Sequence, residues 1–245
     1  MLEKNIKPII IAHRGITEKY IENTLPAFEE AVRLNIPMIE FDIRKTADNH
    51  YVIFHNEKIK GKKINNLTYA ELIKISKSSG FEIPEFSKVI KKIKGKIKFD
   101  IELKEANYEE EIIKILKENS ISYDDFIITS FINEVLKKIK KIEPEIKTGL
   151  LLSANKKNFK KIIKEENEYY DYYLPEIKLY KKEINYFNSK IDKNLIIWTV
   201  NKKKDIELLF KSRKIFGIIT DNVKKYFLKT GSLQTWYTLF LRIYY

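Results

Sequence analysis

The chain has 245 residues, no cysteine and a net charge of +13, from 47 Lys and Arg against 34 Asp and Glu. That length fits a single α/β barrel, which takes about 250 residues, and hydrophobic and charged contents of 44% and 33% exclude a disordered chain. Without cysteine there is no disulfide and no thiolate, so a metal would be held by oxygen or imidazole; the lysines are spread along predicted helices and read as solvated faces, and no nucleic-acid partner is expected.

The segment Met1 to Lys7 is short and polar and is not a secretory signal. Residues 8–12 form the first apolar run and predict a buried strand, with His13 immediately after it. A helix is expected over 26–34, with Thr24 as its N-cap and Pro26 in its first turn. Strands are expected over 38–43 and 51–55. Further strands are expected over 97–103, 126–129, 148–152, 172–177, 195–200 and 217–220. Between them, helical periodicity marks 108–119, 133–142, 159–166, 182–188 and 204–211. Alternating strands and helices with nearly continuous apolar strands predict a parallel sheet covered by helices. Eight or nine strands favour a closed TIM-type (β/α)8 barrel over an open sheet.

No linker divides the chain, so residues 1–230 read as one domain. The stretch 57–94 breaks the alternation with two helical segments, 68–75 and 84–93, and a cap-like start at Asn66-Leu67-Thr68. It reads as a short helical excursion after the second barrel strand. Residues 231–245 form an aromatic tail, with Trp236, Tyr237, Phe240, Tyr244 and Tyr245 among leucines. Two readings stand for 233–245: packing on the barrel or a neighbouring copy, and peripheral contact with a membrane interface. With no signal and no run of 18 apolar residues, a cytoplasmic location is expected, with or without that membrane contact.

Polar chemistry gathers at strand ends. Residues i and i+2 of a strand share a face, so Glu40 and Asp42 point the same way, as do Glu102 and Lys104. Interior carboxylates are costly unless a cation compensates them. Glu40, Asp42 and Glu102 would together make an oxygen-rich cradle for one divalent ion, with Lys104 beside it as a phosphate partner. Asp100 shares the parity of Glu102 one step deeper and receives no role. His50 lies between two strands and reads as a turn residue; Trp198 alone reads as core.

The ordered set of motifs resembles the glycerophosphodiester phosphodiesterase family. It runs from His13-Arg14-Gly15 through Glu22-Asn23-Thr24, Glu40-Phe41-Asp42 and His55 to Glu102-Leu103-Lys104, Ser130-Phe131, Trp198-Thr199-Val200-Asn201 and Thr220-Asp221. The match spans about residues 9 to 223. The resemblance implies a TIM-type barrel and hydrolysis of glycerophosphodiesters to sn-glycerol 3-phosphate and an alcohol. It implies one divalent cation, Mg2+ or Ca2+, on Glu40, Asp42 and Glu102. It makes His13 and His55 the general base and acid, gives the phosphate to Arg14 and Lys104, and sets Trp198 on the glycerol side. Two positions depart from the pattern: Asn56 stands where Asp is usual after the second histidine, and Ile21 where proline is common before Glu22. Two other functions fit the same residues: a lysophospholipase D-type activity, for which the tail is the local hint, and a non-catalytic barrel that binds phosphate-bearing ligands.

Overall fold

A computed structural model describes residues 8–212 and 214–227. The tail at 231–245, and with it both readings of 233–245, lies outside the described residues.

Eight parallel strands close into a barrel: β1 (Ile9–His13), β2 (Met38–Lys45), β3 (Lys98–Leu103), β4 (Phe126–Ser130), β5 (Thr148–Leu152), β6 (Tyr172–Pro175), β7 (Asn194–Ile197) and β8 (Ile215–Thr220). Each pairs with its sequence neighbour, and β1 pairs with β8 through Ile9↔Gly217 to Ala12↔Thr220, which closes the ring. One of the nine expected strands, 51–55, is not a barrel strand. Tyr51–Ile53 is a three-residue strand antiparallel to β2, with Ile43↔Ile53 and Lys45↔Tyr51 in register. A strand that returns within five residues of its predecessor can only pair antiparallel, because a parallel return needs a crossover of a dozen residues or more.

The barrel interior is filled by Ile11, Met38, Ile127, Leu151, Leu174, Ile196 and Ile219, one side chain from most strands. The larger core lies outside the ring, between strands and helices. It forms because the helices carry apolar residues at helical spacing. In Phe86–Ile93 these are Phe86, Val89, Ile90 and Ile93, all buried; in Asn133–Ile142 they are Val135, Leu136 and Ile139. The expected helix at 182–188 is two helices, Ile177–Lys182 and Ile184–Lys190, which share Glu183 as C-cap and N-cap. Among the described residues no helix is long and apolar enough to cross a membrane.

After β2 the chain makes a small hairpin, Lys58–Ile59 with Lys62–Lys63, a 3-10 turn at Ile64–Asn66 and the helix Tyr69–Lys77. Thr68 and Glu71 form a full capping box at that helix, as the sequence signature demands. Val52, Ile59, Ile64, Leu67, Leu72 and Ile83 make a satellite core beneath these elements. The next helix, Phe86–Ile93, instead buries its apolar side in the main core, where Phe86 lies 6.0 Å from Phe41. Thr24 is the N-cap of Leu25–Arg33 by backbone geometry, but its hydroxyl donates backwards to Ile21 O at 2.6 Å.

Candidate active site

The C-terminal ends of the strands carry the charged groups. Register aligns them in two rows: His13 beside Glu40 and Glu40 beside Asp100, then Asp42 beside Glu102. Glu40, Asp42 and Glu102 each offer an oxygen within 4.8 Å of the others, and all three side chains are buried. Two cations answer them. Lys104 Nζ lies 2.6 Å from Glu102 Oε1 and 3.2 Å from Asp42 Oδ1; Arg14 Nε lies 3.3 Å from Asp42 Oδ2.

Arg14 reaches this position through an unusual turn. It takes φ 56° directly after β1, and Gly15 follows at φ 86°. Gly15 is irreplaceable on packing grounds too, because a Cβ there would stand 2.8 Å from the Ala27 Cβ. The Arg14 amide donates to Glu40 O at 2.8 Å and Glu40 Oε2 at 3.1 Å, and its guanidinium donates to both oxygens of Glu22 at 2.9 Å. Asn23, at φ 57°, donates from its amide nitrogen to Asp42 Oδ2 at 2.8 Å. Asp42 is fully buried, yet Lys104 and Arg14 hold its carboxyl below the usual range against the upward push of burial. Burial first, then the neighbouring carboxylates, pushes Glu40 well up, and burial with Asp42 pushes Glu102 up to about 8. Asp100 is also raised by burial, to about 7, while its Oδ1 accepts from Thr129 Oγ1 at 2.7 Å.

This set fits a hard divalent cation. The donors are all oxygen and converge within ion-binding reach, and burial with the neighbouring carboxylates pushes Glu40 and Glu102 up, a repulsion that a cation would relieve. Mg2+ and Ca2+ both suit such donors.

The two histidines face the same cavity from different surroundings. His13 turns Nε2 toward the acids, 3.8 Å from Glu40 Oε2, and its Nδ1 meets Asp221 Oδ1 at 2.6 Å. His55 has Nδ1 3.0 Å from Asn56 Oδ1, and burial pushes its imidazole below the usual value. Its backbone is pinned by Arg44, which donates from Nε to His55 O at 2.9 Å and forms an ion pair with Glu105. On the far side Phe131 and Trp198 meet edge to face, 5.5 Å apart, with the indole nitrogen donating to Leu174 O at 2.6 Å. A cavity of about 270 Å³ joins His13, Arg14, Glu40, His55, Glu102, Lys104, Phe131 and Trp198. A larger groove of about 590 Å³ runs between residues 19–26 and 80–89, but neither histidine nor arginine lines it.

All eight residues singled out from the sequence therefore meet at one end of one barrel, seven of them lining this cavity and Asp42 buried beneath it. His50 lies elsewhere, stacked on Tyr69 at 4.9 Å and 3.3 Å from Glu85. Glu22, Asn23, Phe131, Asn201 and Asp221 fall within the sequence motifs but have no task that the sequence alone assigns; each makes a specific contact here. The available signal for Asp221 was its place directly after an apolar strand.

A barrel mouth with an acidic cradle and two imidazoles is the arrangement a phosphoric diester hydrolase would use. Residues 13–225 match the glycerophosphoryl diester phosphodiesterase family model, and the chain belongs to that family. It is 30% identical to a glycerophosphodiester phosphodiesterase of Caldanaerobacter subterraneus over 240 residues, which cover 89% of this chain and 95% of that one. The crystal structure of a Thermotoga maritima glycerophosphodiester phosphodiesterase superposes with TM-score 0.76 at 25% identity, over 92% of this chain and 99% of the other. An Oleispira antarctica phosphodiesterase, solved with its product sn-glycerol-3-phosphate, has the same fold: TM-score 0.78, 22% identity, 92% and 98% covered.

Proposed function

We propose that this chain hydrolyses glycerophosphodiesters to sn-glycerol 3-phosphate and an alcohol, using Glu40, Asp42 and Glu102 for one divalent cation and His13 and His55 as base and acid. The observation that carries this is the convergence of three carboxylates, two imidazoles and two cations on one cavity. The two close relatives named for this activity support the substrate class.

A phosphodiester monoanion gains charge in its transition state. Arg14 and Lys104, both lining the cavity, would meet that charge with their cationic groups. The cation, when bound, supplies Lewis-acid stabilisation of the phosphoryl oxygens. His13 presents Nε2 to the cavity while Nδ1 is engaged, so Nε2 is free to accept the nucleophile's proton. His55 has a lowered pKa and a neutral partner, which ease loss of its proton to the leaving alkoxide. Trp198 and Phe131 form the wall against which the glycerol carbons rest.

A coupled assay for glycerol 3-phosphate tests this directly. His13→Ala and His55→Ala are each expected to lose about 10²–10⁴-fold in kcat with the fold retained by circular dichroism. EDTA should abolish turnover and Mg2+ or Ca2+ restore it. Near-native activity of either variant, or indifference to EDTA, overturns the reading.

A further inference from the structure

His13 does not stand alone on its strand. Its Nδ1 is 2.6 Å from Asp221 Oδ1, a carboxylate 208 residues away that follows β8 directly. The other oxygen of Asp221 accepts from Asn201 Nδ2, also at 2.6 Å. Asn201 returns the contact, because its Oδ1 accepts from the Asp221 amide and from Thr220 Oγ1, both at 3.0 Å. Asn201 is itself fixed through its carbonyl, which accepts from Tyr226 OH at 2.7 Å and Asn222 Nδ2 at 3.2 Å. Both carboxylate oxygens are thus committed, one to the imidazole and one to a clamp held from three directions.

We propose that Asp221 is the positioning residue that selects the tautomer of His13, and that Asn201 holds Asp221 in place to do so. A carboxylate only accepts hydrogen bonds, so it fixes the proton of neutral His13 on Nδ1. The lone pair then lies on Nε2, which faces Glu40 and the cavity. When Nε2 takes a proton from the nucleophile, the imidazolium that results keeps its Nδ1–H on Asp221, which stays ionised. No proton passes to the carboxylate. Burial would raise the Asp221 carboxyl, but the hydrogen bonds from His13 and Asn201 hold it low. Asn201 lies three residues beyond Trp198, so one short loop carries both the pocket wall and the clamp on the base.

This assignment rests on the two-histidine reading, and the test keeps the two apart. Asp221→Asn preserves shape and removes the charge. It is expected to lower kcat about 100-fold or more while KM moves less than about threefold and the thermal midpoint stays within a few degrees. Asn201→Ala should lower kcat about tenfold. The chain has only three histidines, so ¹⁵N-histidine spectra of the full-length protein, assigned with His13→Ala, report the tautomer directly. His13 is expected to carry its proton on Nδ1 in the parent and to lose that preference in Asp221→Asn. A parent-like kcat or an unchanged tautomer in Asp221→Asn, with His13→Ala inactive, overturns the Asp221 assignment alone. An active His13→Ala overturns the two-histidine reading and this assignment with it.

Discussion

The two arcs of the barrel mouth are built on opposite principles. From the end of β8 through β1, β2 and β3 the strands deliver Asp221, His13, Glu40, Asp42, Asp100, Glu102 and Lys104. From β4 to β7 they deliver Thr129, Phe131, Leu151 and, just past β7, Trp198. Crowding the charges on one side is what makes them affordable: each buried acid there has a cation, a hydrogen-bond donor or a raised pKa to neutralise it. The apolar arc carries no charged side chain into the cavity and needs no such compensation.

The sharpest way to break this contrast is to remove the cation between two acids. Lys104→Met should cost about 10²–10³-fold in kcat/KM, most of it in kcat, if Lys104 meets developing charge as proposed. Trp198→Ala should instead raise KM about tenfold and leave kcat within about threefold, as expected for uniform binding lost from a wall. Equal losses of kcat in the two variants would erase the division between the arcs.

Thermal melts of the metal-free protein probe the polar arc by a second route. Glu102 and Asp100 have folded pKa values raised to about 8 and about 7 from ordinary values near 4. The folded state therefore binds protons more tightly than the unfolded chain. Stability is full below about pH 4 as far as these groups are concerned, and is lost as pH rises through 7 to 8. A fall in the thermal midpoint of about 5 °C or more between pH 5 and pH 8.5 is expected, with Mg2+ reversing it and releasing protons into weakly buffered solution. A flat profile would mean that the acids are not strained.

The smallest effect concerns the edge of the polar arc. Asn56→Asp would give His55 an ionised partner like that of His13, raise the pKa of its imidazole and keep it protonated to higher pH. The alkaline limb of the kcat/KM profile should move upward by about one unit or less. A limb that stays put would show that His55 is not the group titrating there.

Much of this was legible in the sequence because strand parity and strand-end placement are local. Glu40 and Asp42 announce a shared face, and the apolar runs before His13 and Glu102 announce barrel strands. Two kinds of feature were not legible. Tyr51–Ile53 is as apolar as a barrel strand, and only the short loop before it reveals an antiparallel edge. Asp221 and Asn23 look like ordinary loop polar residues; their tasks depend on contacts with His13 and Asp42 that exist only once the ring is closed or the Arg14 turn is made. Pro175 ends β6 two residues before its apolar run does.

The seam between β1 and β8 has a temporal meaning. A growing chain possesses the imidazoles of His13 and His55, all three cradle acids and Lys104 once residue 104 is made. The partner of His13 is added more than a hundred residues later, with the closing strand. During synthesis, then, the last part of the barrel to emerge brings the contact that orients the first histidine, and a half-built barrel lacks it.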